Sequence, residues 1–226
     1  MIKSSIWNPI WILLILPLVL SISFLPPVDA GKRNEEKDQK KSIEICCSWG
    51  EQLEDGELTY RINGGDTGTR EVVRSAVNQW DMKIDGMKLV EVNGDDSADI
   101  TIGFKKDGKN LPGEKSSHGL MTAGLTSFEL SWRNVIDDVH IVLAKGVRGN
   151  EFTPSQIKMV AQHEMGHALG LGHSNSWSSI MSPTISNQQH VVISDCEINA
   201  VLQANAWKLI DSDSSPHSYR GDSISC

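Results

Sequence analysis

Positive charge is in short supply in this sequence. Lys and Arg number 21 against 29 Asp and Glu, for a formal net charge of −8. That balance excludes the basic face a nucleic-acid binder needs and leaves peptide substrates unconstrained. Internal repeats are absent, which excludes a stacked-repeat architecture. Cysteine is sparse: Cys46, Cys47, Cys196 and Cys226 allow at most two disulfides in three pairings. A bond between the adjacent Cys46 and Cys47 would be strained. Bonds from this pair to Cys196 and Cys226 are therefore expected, tying the start of the domain to its end; free thiols are the alternative. With 226 residues, 39% hydrophobic and 22% charged, the chain suits one globular domain with extensions.

A long apolar run occurs at the N-terminus, over residues 11–25, with Lys3 before it and Val28-Asp29-Ala30 after it. Basic start, apolar stretch and small-x-small site read as a signal peptide cleaved after Ala30. The alternative is an uncleaved anchor, since residues 6–25 could just span a bilayer if Asn8 and Pro9 are tolerated. Either way the expected location is secreted or extracellular, with a membrane partner only if the segment is uncleaved. An even cysteine count fits that compartment. Residues 31–45 read as a charged linker, 46–209 as the folded domain and 210–226 as a flexible Ser- and Asp-rich tail.

Within the domain, residues 57–62 alternate, with Leu58, Tyr60 and Ile62 on one face, and read as a half-buried strand. Gly64-Gly65-Asp66 turns the chain. Val72, Val73, Ala76, Val77 and Trp80 recur at helical spacing over 69–81. Residues 88–92, 98–104, 119–130 and 139–144 read as further strands, and 105–117 as a surface loop. Thr153, Pro154 and Gln156 make a capping box with proline at the first helical position. Ser194 and Glu197 form a second capping box, starting a helix to about residue 208, with Asn205 out of place in its apolar stripe. Helices placed to one side of a mixed sheet of about five strands give an α+β domain.

Residues 163–173 read His-Glu-Met-Gly-His-Ala-Leu-Gly-Leu-Gly-His. His163 and His167, at i and i+4, stand above one another on a helix and can reach one metal. Glu164 lies about 100° round the same helix, within reach of a metal-bound water. His173 would sit roughly 9 Å further along an unbroken helix, so the chain must stop and turn back to bring in a third ligand. Gly170 sits where that stop is needed, being able to take a positive φ, and Gly172 loosens the same turn. Three imidazoles with an open position are the pattern of a catalytic zinc site.

This elongated motif resembles that of the metzincin metalloproteases. Ser174 after the third histidine, and Ser179-Ile180-Met181-Ser182-Pro183 with Met181 eight residues past His173, resemble the matrixins (matrix metalloproteinases). Residues 58–62, 73–80 and 98–104 are similar to the matrixin opening strand, first helix and third strand. The resemblance implies a zincin-like fold of three helices on a twisted mixed sheet, with the cleft between a larger N-terminal and a smaller C-terminal subdomain. It implies a zinc endopeptidase in which a zinc-activated water attacks the peptide bond, with Glu164 as general base and Met181 as the floor under the metal. Pro183 matches the wall of the pocket after the cleaved bond, with Ile185 where tyrosine is common. The edge strand that pairs with substrate would fall at 119–125. One zinc is implied rather than two: His140 matches the family's structural zinc site, whereas His118 lacks the following Asp, and Met121, Thr122 and Ala123 stand where the edge-strand histidine belongs. Structural calcium has no support in the sequence. No Pro-Arg-Cys-Gly segment precedes the domain, so cysteine-switch latency is not expected, and docking of a freed N-terminus near Ser194 is not expected either. Protein or peptide substrates and a monomeric state are. A zinc-binding module without catalysis is the alternative, and Glu164 argues against it.

Overall fold

The computed structural model describes residues 40–94, 97–108, 111, 123–184, 191–210 and 222–226. The expected leader, residues 31–39 of the linker and 211–221 of the tail lie outside the described residues, as do most of the 105–117 loop and His118 to Thr122.

Two short strands, β1 (Ser42–Ile45) and β2 (Ser48–Trp49), open the fold. β3 (Glu57–Ile62) follows as its alternation predicts, with Leu58 and Tyr60 buried. α1 (Thr67–Asp81) begins two residues ahead of its apolar repeat because Asp66 caps it, accepting from Thr69 N at 2.9 Å. Next come β4 (Lys88–Glu91), β5 (Ile100–Lys105), β6 (Gly124–Leu130) and β7 (Val135–Ala144), then a small hairpin of β8 (Gly146–Val147) and β9 (Asn150–Glu151). α2 (Pro154–Ala168) carries the motif, β10 (Leu171–Ser174) follows it, and α3 (Asp195–Ala204), α4 (Ala206–Leu209) and β11 (Ser223–Ser225) complete the described chain.

The strands β2-β7-β5-β3-β4 lie side by side with parallel neighbours, and β6 runs antiparallel to β7. Helices packed on this mixed sheet make the α+β architecture expected. Trp49 and Trp80 are wholly buried between the layers. Their indoles donate to α2, Trp49 to Ala168 O at 2.8 Å and Trp80 to Gln162 O at 3.0 Å, so each ring adds a satisfied hydrogen bond to its apolar burial. Losing either ring would cost about 3–5 kcal/mol. The last helix breaks at Asn205 instead of running to 208. Asn205 is fully buried, accepts from Trp49 N at 3.0 Å and donates to Leu169 O at 3.1 Å. Its amide thus satisfies a carbonyl at the end of α2, which is why a polar residue interrupts the apolar stripe. Among the described residues, no helix is long and apolar enough to cross a membrane.

The linker boundary needs correcting. Ser42–Ile45 is a strand at the centre of a second sheet, ordered β10-β1-β11. Ile43 and Ile45 are buried, and this two-residue alternation was obscured by the charged run before it. The end of the expected flexible tail also belongs to the fold, since β11 pairs with β1 from Ser42↔Ser225 to Glu44↔Ser223.

That pairing also overturns the expected cross-linking, because Cys196 bonds Cys226 and Cys46 bonds Cys47. Antiparallel β11 brings Cys226 beside Lys41, where Cys226 N donates to Lys41 O at 2.8 Å. Cys46 is then at the other end of β1, about 17 Å away along the strand, beyond the roughly 7 Å that a disulfide can bridge. Cys196, in the first turn of α3, lies 5.5 Å from Cys226 between Cα atoms.

Candidate metal centre

The motif helix starts as its capping box predicts. Thr153 accepts from Gln156 N at 3.3 Å, and Gln156 Oε1 accepts from Thr153 N at 2.8 Å. It ends at Ala168, and Gly170 then takes φ +99°. A side chain on Gly170 would run into the Cys47 carbonyl and lie 3.2 Å from Ala204 Cβ, so both conformation and space require glycine. Gly172 has a different role from the one expected. Its backbone φ is not positive, and a Cβ there would come within 2.7 Å of Glu44 Cβ. Gly172 lets β10 lie flush against β1, so His173 is carried on a paired strand and not on a loose turn.

These elements bring the three histidines together. One ring nitrogen from each of His163, His167 and His173 lies within 4.8 Å of the others, and His163 Nε2 and His167 Nε2 are 3.0 Å apart. The Nδ1 atoms of the helical pair face backbone carbonyls, His163 to Ile180 O at 2.7 Å and His167 to Leu171 O at 2.8 Å. A carbonyl only accepts, so each Nδ1 carries the proton and each Nε2 turns its lone pair inward. Burial pushes the His163 pKa down to about 4 and that of His167 to about 3, the latter also through repulsion from His163. The more exposed His173 is lowered by burial too, with Glu44 opposing. Neutral imidazole is the form that ligates a metal, and this donor set fits a tetrahedral ion with one position left over.

Glu164 is 5% exposed and lies against β6. Thr126 Oγ1 donates to its Oε2 at 2.7 Å, and a Cβ on Gly124 would fall 2.7 Å from Glu164 Cδ. Burial raises the carboxyl pKa to about 7, against the lowering effect of the Thr126 hydrogen bond.

Met181 is fully buried beneath the helix. A Cβ on Gly166 would collide with Met181 Sδ and sit 3.2 Å from Trp80 Cζ2. Gly166 is therefore glycine so that the sulfur can pack directly on the helix backbone between the two histidines. The turn itself is held from α3. Ser179 Oγ donates to Glu197 Oε1 at 2.5 Å and accepts from Met181 N at 3.1 Å. Glu197 thereby supports the turn as well as completing its capping box. Pro183 is exposed beside buried Ser182, and Ile185 lies outside the described residues.

The expected 119–130 strand is described from Ala123 on, where β6 spans Gly124–Leu130 and Ser127 stands opposite His140. His140 is a half-exposed strand residue whose Nε2 lies 3.4 Å from Asp138 Oδ1. Thr126, Gly124, Lys41 and Trp49 had no sequence signal of function, since each acts through a partner far away in the chain.

A capped helix bearing two histidines, a strand bearing the third and a methionine turn packed beneath them, on a mixed sheet with one antiparallel edge strand, define the metzincin class. The Matrixin family model matches residues 48–204. Matrilysin of Rattus norvegicus is 33% identical over 135 residues, covering 56% of this chain and 48% of its own length. Metalloendoproteinase 1-MMP of Arabidopsis thaliana is 31% identical over 121 residues, 50% of this chain and 31% of its own. Matrix metalloproteinase-16 of Homo sapiens is 31% identical over 155 residues, 59% of this chain and 24% of its own. The chain belongs to the matrixin family. It spans about half or less of the length of these relatives.

Proposed function

We propose that this chain is a secreted zinc-dependent metalloendopeptidase. The observation that carries the reading is the convergence of three neutral imidazoles beside a buried carboxylate on the same helix. His163, His167 and His173 hold the zinc. When bound, zinc supplies Lewis acidity, polarising a carbonyl and making water a stronger acid. Glu164 takes a proton from the attacking water and returns it to the leaving amine. The substrate is an extended peptide. Among the described residues β6 pairs only with β7, leaving an edge on which a peptide strand can be added.

Export is supported by the apolar N-terminal run with its small-x-small site and by four disulfide-bonded cysteines. An uncleaved leader would anchor the same domain outside the cytoplasm. The deciding experiment is incubation of the purified chain with a mixed peptide library, with and without a chelator, with zinc measured on the same sample. Internal cleavage that chelator abolishes and zinc restores is expected. Bound zinc with no cleavage of any peptide would favour a non-catalytic binding module.

A further inference from the structure

Glu164 does not stand alone beside the histidines. Its side chain is wedged between α2 and β6, and two residues of β6 shape its surroundings. Gly124 and Thr126, at i and i+2, lie on the same face of that strand. Gly124 leaves the space the carboxylate fills, because a Cβ there would stand 2.7 Å from both Cγ and Cδ of Glu164. Thr126 Oγ1 donates to Glu164 Oε2 at 2.7 Å, with the Glu164 backbone carbonyl as a weaker acceptor at 3.2 Å. A neutral donor to a carboxylate at that distance is a charge-assisted bond of the stronger kind.

We propose that Thr126 is a positioning residue for the Glu164 carboxylate, fixing Oε2 by its hydrogen bond while Oε1 seats in the space that Gly124 leaves. The inference rests on the reading of Glu164 as general base. Geometry makes it a two-part device. The hydroxyl sets the rotation of the carboxylate, and the missing side chain at Gly124 gives the second oxygen its room, since a Cβ there would collide with Oε1. Both belong to the strand that, among the described residues, pairs only with β7 and so offers its other edge to substrate. Base and substrate are thus held by one rigid element, which limits the misplacement that costs rate.

The test compares Thr126→Val, which keeps the shape and removes the hydroxyl, with Thr126→Ser, which keeps the hydroxyl. Glu164→Gln and the Glu164→Gln/Thr126→Val double variant complete the cycle. Thr126→Val is expected to lower kcat by about 10- to 100-fold, with KM and zinc retention against chelator as in the wild type. In the metal-free protein the Glu164 carboxyl-carbon NMR resonance should move in Thr126→Val and return in Thr126→Ser, which also restores kcat. Thr126→Val should cost nothing further once Glu164 is Gln. If Thr126→Val does not fold, Thr126→Ala is read in its place. A kcat within about twofold of wild type in the valine variant, with Glu164→Gln inactive, overturns the inference and leaves the base intact. Normal turnover in Glu164→Gln overturns the base itself.

Discussion

Ser179, in the turn beneath the histidines, donates to Glu197 Oε1 at 2.5 Å, and Glu197 is completely buried. The same oxygen accepts from Lys41 Nζ at 2.9 Å, while Oε2 accepts from Ser194 N at 2.9 Å. These partners hold the Glu197 carboxyl below the usual carboxylate range although burial works against them. One carboxylate thus joins the entry to β1, the cap of α3 and the methionine turn. That turn in turn offers the Ile180 carbonyl to His163 Nδ1. Glu197→Ala should destabilise the domain by about 3–5 kcal/mol, the cost of stripping a buried charge network of its anion. Urea denaturation of the two proteins measures it. Lys41→Met, which removes a partner that is 23% exposed, should cost less.

Glu164→Gln keeps the shape of the side chain and the three histidines while removing the base. Zinc should stay bound, and turnover of a cleavable peptide should fall at least about 10²-fold. Near-normal kcat in this variant would remove Glu164 from the chemistry.

His173→Ala leaves two helical histidines, fewer donors than a tetrahedral site with one open position needs. Titration with a chelator should strip zinc from the variant at concentrations that spare the wild type. Equal retention in both would show that β10 does not supply a ligand.

Metal analysis of the purified chain should give a zinc ratio near one, from the ligand count at this site. His140, opposite Ser127, should not contribute. Two tightly held zincs, one lost in His140→Ala, would contradict this.

The metal-free domain should lose stability as pH falls. His163 and His167 titrate at about 4 and about 3 when folded, against an ordinary value near 6.5. Between those values the unfolded chain binds more protons than the folded one. Stability that the two imidazoles contribute above about pH 6.5 is therefore lost on acidification, by at most about 2.7 kcal/mol per pH unit. Between about pH 7 and 4.5 the loss is offset in part by Glu164, whose raised carboxyl binds its proton more readily in the folded state. Thermal melts of the chelated protein from neutral pH downward should show Tm falling through this window. A flat profile in a Glu164→Gln background, which removes the opposing carboxyl, would mean that the imidazoles are not buried neutral.

Much of the site could be read without coordinates because its information is local. The spacing from His163 to His173, the glycine at 170 and the Thr153–Gln156 box each depend on neighbours within a few residues. The same holds for β3, where alternation at Leu58 and Tyr60 matches the burial found. What escaped depends on long-range pairing. Ser42–Ile45 looked like linker because a four-residue strand carries little periodicity, and the cysteine pairing followed from β11 lying beside it. Glu197 was recognisable as a cap, but its bond to Ser179 was not. Asn205 looked like a blemish until Leu169 and Trp49 supplied its partners. The register of β6 carries no sequence signal for the same reason, since only its ladder with β7 sets it.

The disulfide between Cys196 and Cys226 closes a separation of 30 residues. Cys226→Ser should lower unfolding stability by roughly 3–4 kcal/mol on loop-closure grounds. Non-reducing peptide mapping of the wild type should recover that pair and the Cys46–Cys47 pair, with no cross-links between them.

The placement of β1 between β10 and β11 also bears on how a ribosome delivers this protein. Ser174 Oγ bonds Ser42 O across 132 residues of chain, so the first strand emerges long before its neighbours exist. At roughly 5–20 residues per second, Ile43 and Ile45 wait on the order of ten seconds for β10 to be made. The third ligand of the motif takes its place only when β1 meets β10. Three-point metal capture is thereby deferred until β10 has been made and has paired with β1.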